Sequence, residues 1–359
     1  MAVTWKKIML AGDNAADLGS GAATDGYVLT ADGIGGADWE AQTGGGVDRI
    51  NFIINGLGEV YQRNAAYTLV KDVYGAATDR FFGMATGTAV SAGTLVQATA
   101  APCGRTGYAH HFSGVTLTGT GVIYLRYRVE AKDAVAFKNQ NASFSAKVYQ
   151  DTGGAVNYTV YIRKANSADT FSAVTNISNS GALSIPNSAE TTLAYQAIAM
   201  GDCSNGIEIE IKIECGAITT KNFYFTELQF EIGSVSTAFN YRSYHEELNL
   251  CMRYFQQVPD GTDVYGEVGI GNASNSTTCY IGFQFFVPMI GPPAITSSGN
   301  FRVDDTAAAY AVTSIAKASA TKQKILLGIG VASGLTQYRT YKMSANNDAT
   351  AKLMFNSEL

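Results

Sequence analysis

The sequence predicts an all-β protein, and three observations carry that expectation. Glycine is abundant at 38 residues and proline scarce at 6, while 20 tyrosines and 17 phenylalanines supply side chains that favour strands. Apolar and polar positions alternate with a period of two in segment after segment. Charged residues make up 15% of a chain that is 46% hydrophobic, against about 25% charge in ordinary soluble domains, a balance that favours packed cores over disorder. With 359 residues, the chain is long enough for two or three domains of roughly 100–200 residues each.

The first 46 residues stand apart. From Ala11 to Gly46 the composition is mostly Gly, Ala, Asp and Thr, and the apolar anchors of the first 46 residues are few: Trp5, Ile8, Leu10, Leu18, Tyr27, Val28, Leu29, Ile34 and Trp39. Ordering each residue costs about 1–2 kcal/mol of backbone entropy, more than so little apolar surface offsets. The segment 1–46 is therefore expected to be an extended anchor that orders against other chains. Trp5 and Trp39, the only tryptophans, would each gain about 2–3 kcal/mol from burial in a partner, helped by Ile8, Tyr27 and Leu29. The run Thr43-Gly44-Gly45-Gly46 reads as a flexible linker.

A first β domain is expected over 47–242. In Ile207 to Glu214 four isoleucines alternate with four charged residues, which reads as a strand with one wet face. Gly121 to Glu130 alternates in the same way, with Ile123, Leu125, Tyr127 and Val129 on one face. Phe144–Tyr149, Asn157–Arg163 and Phe223–Ile232 are further strands, separated by turns such as Asp151-Thr152-Gly153-Gly154. Strands that each have one apolar face imply two packed antiparallel sheets. The pattern breaks at Ser243-Tyr244-His245-Glu246, an S-x-x-E capping box, after which Tyr244, Leu248, Cys251 and Phe255 follow at helical spacing. This predicts a linking helix of about three turns within 243–258, ending before Pro259. Beyond it, 259–359 reads as a smaller β domain with strands at Tyr280–Met289, Lys324–Val331, Gln337–Ser344 and Thr350–Phe355.

The formal charge of −5 and the lack of any basic run longer than Lys6-Lys7 argue against nucleic-acid binding. No stretch approaches the roughly 20 apolar residues of a membrane helix, and Met1 to Leu10 lacks the apolar core of a signal peptide. The five cysteines, Cys103, Cys203, Cys215, Cys251 and Cys279, are odd in number and contain no C-x-x-C pair, so they are expected to be buried thiols of a protein made in a reducing cytoplasm. The sequons at Asn141, Asn157, Asn176, Asn272 and Asn275 are then chance matches. No cofactor is expected. His110 and His111 are the best metal candidates, yet neighbours on a strand point to opposite faces and would not share an ion.

Several landmarks, taken in order, resemble phage tail fibre and receptor-binding proteins. Asn51-Phe52-Ile53-Ile54-Asn55-Gly56 with Gln62-Arg63 resembles the first strand of a carbohydrate-binding-module-like jelly roll, and Ala77-Thr78-Asp79-Arg80-Phe81 its next landmark. Leu228 to Ser234 followed by Thr237 to Tyr244 is similar to the closing strand and its exit, and Glu246 to Phe255 to the helix that follows. Phe286-Val287-Pro288-Met289 resembles a recurring turn of the C-terminal domain, and Thr4–Ile8 and Gly26–Gly33 resemble glycine-rich fibre starts. The resemblance implies a jelly-roll β-sandwich in 47–242 and a virion tail component made in the bacterial host cytoplasm. It also implies a homotrimer that joins other tail or baseplate proteins through its N-terminal segment and adheres to host surface glycan. A non-adhesive head or baseplate decoration protein is the alternative, with a surface-glycan hydrolase behind it.

Catalysis finds little support. No nucleophile elbow or phosphate-binding loop occurs, and the long parallel β-helix repeat of tail depolymerases is not found. Glu208 and Glu210 share a strand face about 7 Å apart, inside the roughly 5–10 Å used by paired glycosidase carboxylates. Their alternating context reads instead as a solvated face. Sugar recognition by aromatic rings is the better expectation, with Tyr108, Tyr158, Tyr161, Tyr224 and Tyr241 as possible contributors.

Overall fold

The computed structural model describes residues 50–259 and 261–359, together with the backbone of two strands in 27–41. The chain divides into a unit of residues 1–48 and a unit of residues 49–359. In the first unit, β1 (Tyr27–Ala31) and β2 (Ala37–Ala41) form an antiparallel pair with Leu29 opposite Trp39. This pair lies within the segment expected to be an extended anchor. Trp5 and Ile8, and the side chains of Tyr27, Leu29 and Trp39, lie outside the described residues.

The second unit opens with a β-sandwich. Its strands are β3 (Tyr67–Thr68), β4 (Gly75–Ala76), β5 (Phe82–Thr86), β6 (Ala89–Ala98), β7 (Ala109–Thr118), β8 (Val122–Val129), β9 (Asn141–Gln150), β10 (Val156–Ser167), β11 (Thr170–Asn179), β12 (Leu183–Ile185), β13 (Thr191–Ala199), β14 (Ile207–Glu214) and β15 (Ile218–Ile232). One sheet has the order β11-β10-β14-β8-β5-β4 with β12 beside β10, and the other has β13-β9-β15-β7-β6-β3. The chain changes sheet at β3 to β4, β5 to β6, β7 to β8, β8 to β9, β9 to β10 and β12 to β13 to β14 to β15, the interleaving of a jelly roll. Ile207, Ile209, Ile211 and Ile213 pair in unbroken register with Val129, Tyr127, Leu125 and Ile123, and all eight side chains enter the core. Each fully buried apolar side chain contributes about 1.5–3 kcal/mol, and a slip of one residue would turn every one of them outward.

The other side of β14 is wet only at its end, where Glu214 is exposed and Lys212 partly so. Glu208 and Glu210 are only 3% and 5% exposed. The register places Glu208 between Arg128 on β8 and Arg163 on β10. It accepts from Arg128 Nε at 2.9 Å and Arg163 Nη1 at 3.2 Å, while Glu210 accepts from Arg163 Nη2 at 2.7 Å and from the Tyr74 hydroxyl. Arg126 lies 3.4 Å over the Tyr74 ring and Arg128 4.7 Å over Phe171. Alternation in one strand shows the charges of a face but not the side chains from elsewhere that cover it.

Two helices occur among the described residues: a single turn, α1 (Ala131–Ala134), and the linking helix α2 (Tyr244–Met252). The capping box is present, with Ser243 Oγ accepting from the Glu246 amide at 3.3 Å. The helix is shorter than three turns, because Phe255 already begins β16 (Phe255–Val258). Its buried positions are Glu247 and Cys251, and Tyr244 is half exposed. Glu247 is drawn inward because its carboxylate receives the Asn55 amide at 2.8 Å and Arg242 Nη1 at 2.9 Å.

After the helix come β17 (Glu267–Ala273), β18 (Thr278–Gln284), β19 (Ala294–Ser298), β20 (Phe301–Asp304), β21 (Ala309–Ala320), β22 (Lys324–Val331), β23 (Thr340–Ala345) and β24 (Lys352–Asn356). β17-β18-β22-β21-β20-β23 closes into a barrel, and β16-β24-β19 forms a three-stranded sheet. A second core gathers Ile281, Leu327, Ile329, Met343, Leu353 and Phe355. The cysteines are all free thiols, and all but the half-buried Cys215 are buried.

The landmarks of the sandwich form its seam with the C-terminal part. Arg80, 1% exposed, donates from Nη1 to Glu358 Oε2 at 2.9 Å and from Nη2 to the Arg128 carbonyl at 2.6 Å, and its guanidinium lies 3.4 Å over the Tyr254 ring. Arg63 bridges Asp79 Oδ1 at 2.7 Å and Glu358 Oε1 at 3.2 Å and lies over Phe255. Burial outweighs Arg63 and pushes the Asp79 carboxyl up to about 7. Burial would raise Glu358 as well, but Arg80 and Arg63 together bring it below its ordinary value. Asn55 closes the opening turn by accepting from the Val60 amide and donating to the Val60 and Asp79 carbonyls. Beside it, Gly56 is obligatory, since a Cβ there would sit 2.3 Å from the Leu228 carbonyl oxygen.

Two expectations follow. Arg80→Met should cost about 3–5 kcal/mol in urea unfolding, because it strands a buried carboxylate, and Arg80→Met with Glu358→Met should recover part of that loss. His110 is fully buried, donates from Nε2 to the Asn55 carbonyl and accepts from the Thr78 hydroxyl, and burial lowers it to about 3. The unfolded chain therefore binds this proton between pH 6.5 and 3 while the fold does not, so the His110 contribution to stability should fall with acidification by up to about 1.4 kcal/mol per pH unit across that window, against the opposite contribution of Asp79, whose raised carboxyl takes up its proton in the fold first. His110→Gln should therefore gain stability relative to the parent as the pH is lowered from 6.5.

Candidate functional site

The two sandwich sheets present different outer faces. On the second sheet, β9 sends Phe144, Ala146 and Val148 inward and Ser145, Lys147 and Tyr149 outward. On β13, Thr192, Ala194 and Gln196 line the outer side. A register break in β15 between Thr226 and Gln229, with Glu227 at φ 50°, re-aims Glu227 to the same place. These strands floor an open cleft of about 540 Å³, walled by Gly104 and Arg105 on one side and Ser236 to Phe239 on the other. Gly104 lets the loop lie down on the sheet: its φ is +74°, and a Cβ would meet Thr226 Cγ2 at 2.4 Å.

The charges of the cleft are matched. Lys147 Nζ lies 3.0 Å from Glu190 Oε1, and Glu190 Oε2 accepts from the Gly104 amide at 2.9 Å. Those two bonds, the lysine's first, hold the Glu190 carboxyl below its ordinary value. Arg105 Nε donates to the Tyr241 hydroxyl at 2.7 Å, which donates to Glu227 Oε1 at 2.7 Å, and the guanidinium lies 4.2 Å over the Tyr241 ring. Phe239 meets Tyr241 edge to face at 4.8 Å. Two cations and two carboxylates cancel. The side chains of Ser145, Thr192 and Gln196 line the cleft, make no hydrogen bond among the described residues and are not shut away from solvent. The site therefore offers uncommitted neutral donors and acceptors beside an aromatic wall, which suits a neutral polyhydroxylated ligand.

Next to the cleft an apolar and aromatic row crosses four strands in register, from Val96 through His111 and Tyr224 to Tyr149. His111 stacks on Tyr224 at 4.0 Å and 12°, and Tyr149 meets Tyr224 edge to face at 5.8 Å. Of the tyrosines expected to meet sugar, Tyr224 is in this row and Tyr241 is at the cleft wall. Tyr108 is half buried at the end of the loop that carries Arg105. Tyr161 lies on the other sheet beside Arg163, and Tyr158 is wholly buried in the core, so it is not available. Sequence reasoning missed Tyr149, His111 and Phe239. Alternation in Phe144–Tyr149 was the available signal for Tyr149, but nothing local shows which strands lie beside it.

Glu208 and Glu210 sit on the opposite sheet with every carboxylate oxygen already engaged by arginine or tyrosine. His110 faces the core and His111 the outside. Among the described residues no cluster of three or more His, Cys, Asp or Glu is placed to hold a metal ion.

No family model matches the chain, and no curated protein does. Solved structures do. The carbohydrate-binding module TmCBM61, determined in complex with β-1,4-galactotriose, matches at 10% identity and a TM-score of 0.30, covering 52% of this chain and 99% of that one. A family 22 carbohydrate-binding module of Clostridium thermocellum Xyn10B matches at 11% identity and 0.30, covering 43% and 87%. The enzymatically active domain of bacteriophage CBA120 tailspike protein 4 matches at 12% identity and 0.35, covering 51% of this chain and 22% of that one. What the cleft does is argued from its own residues.

Because the loop depends on a left-handed residue in close contact, Gly104→Ala should lower stability by about 1 kcal/mol or more. Hydrogen exchange should show faster opening of residues 99–108.

Proposed function

We propose that this chain is the glycan-recognising adhesin of a phage tail fibre. The carrying observation is the cleft on the second sheet, where Ser145, Thr192 and Gln196 keep unused hydrogen-bonding capacity beside Phe239 and between two internally neutralised ion pairs. A sugar supplies hydroxyl groups for the former and C–H faces for the latter. The ordered landmarks from Asn51 to Tyr254 and the glycine-rich start support the tail-fibre reading. In it the chain is made in the bacterial host cytoplasm, assembles as a homotrimer and attaches to other tail or baseplate proteins through the segment that contains Trp5 and Trp39. Recognition is non-catalytic, and three linked sites would multiply weak single-site affinity into firm adhesion.

Full-length chain applied to an array of bacterial surface polysaccharides and neutral oligosaccharides should bind a neutral glycan. Thr192→Ala with Gln196→Ala should weaken that binding roughly tenfold, through the loss of two hydrogen bonds worth about 0.5–1.5 kcal/mol each. Absence of binding to every glycan, or binding untouched by the double substitution, overturns the assignment of the cleft. Light scattering should give the mass of a trimer. Trp5→Ala with Trp39→Ala should abolish incorporation into particles while leaving the sandwich and barrel folded.

A further inference from the structure

Asn222 is held in one orientation. Its amide N–H and its Nδ2 donate to the two Asp151 carboxylate oxygens, each at 2.7 Å, which leaves its Oδ1 to accept from the Gly114 amide at 3.1 Å. The same Oδ1 lies 3.2 Å from His111 Nε2. An acceptor facing Nε2 requires the proton there, so the neutral ring presents a bare lone pair at Nδ1. That atom has no partner among the described residues and is not shut away from solvent. Stacking on Tyr224 at 4.0 Å fixes the plane of the ring. The imidazole is thus held on three sides, by Asn222, by Tyr224 and by its own strand, with its acceptor left unused. It lies on the face that carries the cleft, where Tyr149, two residues along β9 from cleft-lining Lys147 and about 7 Å away, joins the two.

We infer that His111 is a specificity-determining residue of the glycan site, accepting through Nδ1 a hydrogen bond from a hydroxyl of a sugar unit that extends beyond the cleft, with Asn222 and Asp151 as positioning residues that keep the acceptor tautomer. This rests on the glycan reading of the cleft and adds a second, flanking subsite to it. It makes binding depend on the neutral imidazole, since protonation turns Nδ1 from acceptor into donor. Burial lowers the ring below its ordinary 6.5, with Asn222 and Asp151 opposing. The titratable side chains that face it are Asp151 in the turn after β9, Tyr149 on β9 and Tyr224 on β15, and β6 contributes only Val96. Affinity should therefore be level from pH 8 down to 6.5 and fall at more acid pH.

The test is calorimetric titration of the full chain with β-1,4-galactotriose, xylohexaose and cellohexaose, taking forward the tightest, at pH values from 8 to 4.5. His111→Phe keeps a flat ring against Tyr224 but has no acceptor. It should bind about three- to tenfold more weakly at pH 7, the equivalent of one neutral hydrogen bond, and should lose the acid dependence while melting near the parent temperature. Parent-like affinity and acid dependence in His111→Phe, together with weakened binding in Phe239→Ala, overturn the role of His111 and leave the cleft reading intact. Failure of the parent chain to bind these three sugars and every neutral glycan of the array overturns both, and an arrayed glycan that binds where these three fail takes their place in the titration. Should His111→Phe not fold, the parent profile decides alone, and a level profile down to pH 4.5 sinks the inference.

Discussion

The arrangement of the second unit depends on one carboxylate, that of Glu358, buried between the guanidiniums of Arg80 and Arg63. Two greasy cores meeting through apolar surface alone could slide or rotate at little cost. A buried charge removes that freedom, because its desolvation costs several kcal/mol and is offset only when every partner is in place. Arg80 satisfies Glu358, the Arg128 carbonyl and the face of Tyr254 at once. Asp79 in turn holds Arg63 and the Gln62 amide. Residues that look like scattered family landmarks along the chain thus act as one fitted joint between the sandwich and the sheet that contains β24.

The same physics separates the two faces of the sandwich. On the first sheet, cross-strand register sets Glu208 between two arginines, and aromatic rings then cover the pairs, so the carboxylates of Glu208 and Glu210 are satisfied internally. On the second sheet the ion pairs Lys147–Glu190 and Arg105–Glu227 neutralise each other at the cleft while neutral side chains between them stay unpaired. Polar groups without a protein partner bond to water, and a ligand that reproduces those bonds can displace it. That contrast, more than any single residue, sets the second face apart from the first.

Much of the architecture was legible in the chain. Periodicity located β14 from Ile207 to Glu214 and β22 from Lys324 to Val331 at their observed limits, and the capping box located the start of the linking helix at Ser243. Strand alternation and helix capping are set by neighbours in sequence, so local reading recovers them. Closure of the barrel was not legible, since it depends on β23 meeting both β17 and β20. The linking helix buries Cys251 and half-buries Leu248 as its spacing implies, but the burial of Glu247 was not legible, because Asn55 and Arg242 draw it inward and Asn55 lies 192 residues away. Tyr158 shares a strand face with Val160 and Ile162, so alternation already marked it as facing inward.

The sequence by itself determined that the chain is all-β, where most strands run, which of their residues share a face, and that a capped helix separates two β regions. Tertiary structure alone decided which faces are covered and which remain open. It buried Glu208 and Glu210, which alternation leaves at the surface, and brought Lys147, Glu190, Arg105 and Phe239 to one cleft from four separate segments. Exposure is a property of everything that surrounds a residue, and in a sheet those surroundings come from strands tens to hundreds of residues away, beyond the reach of any local pattern.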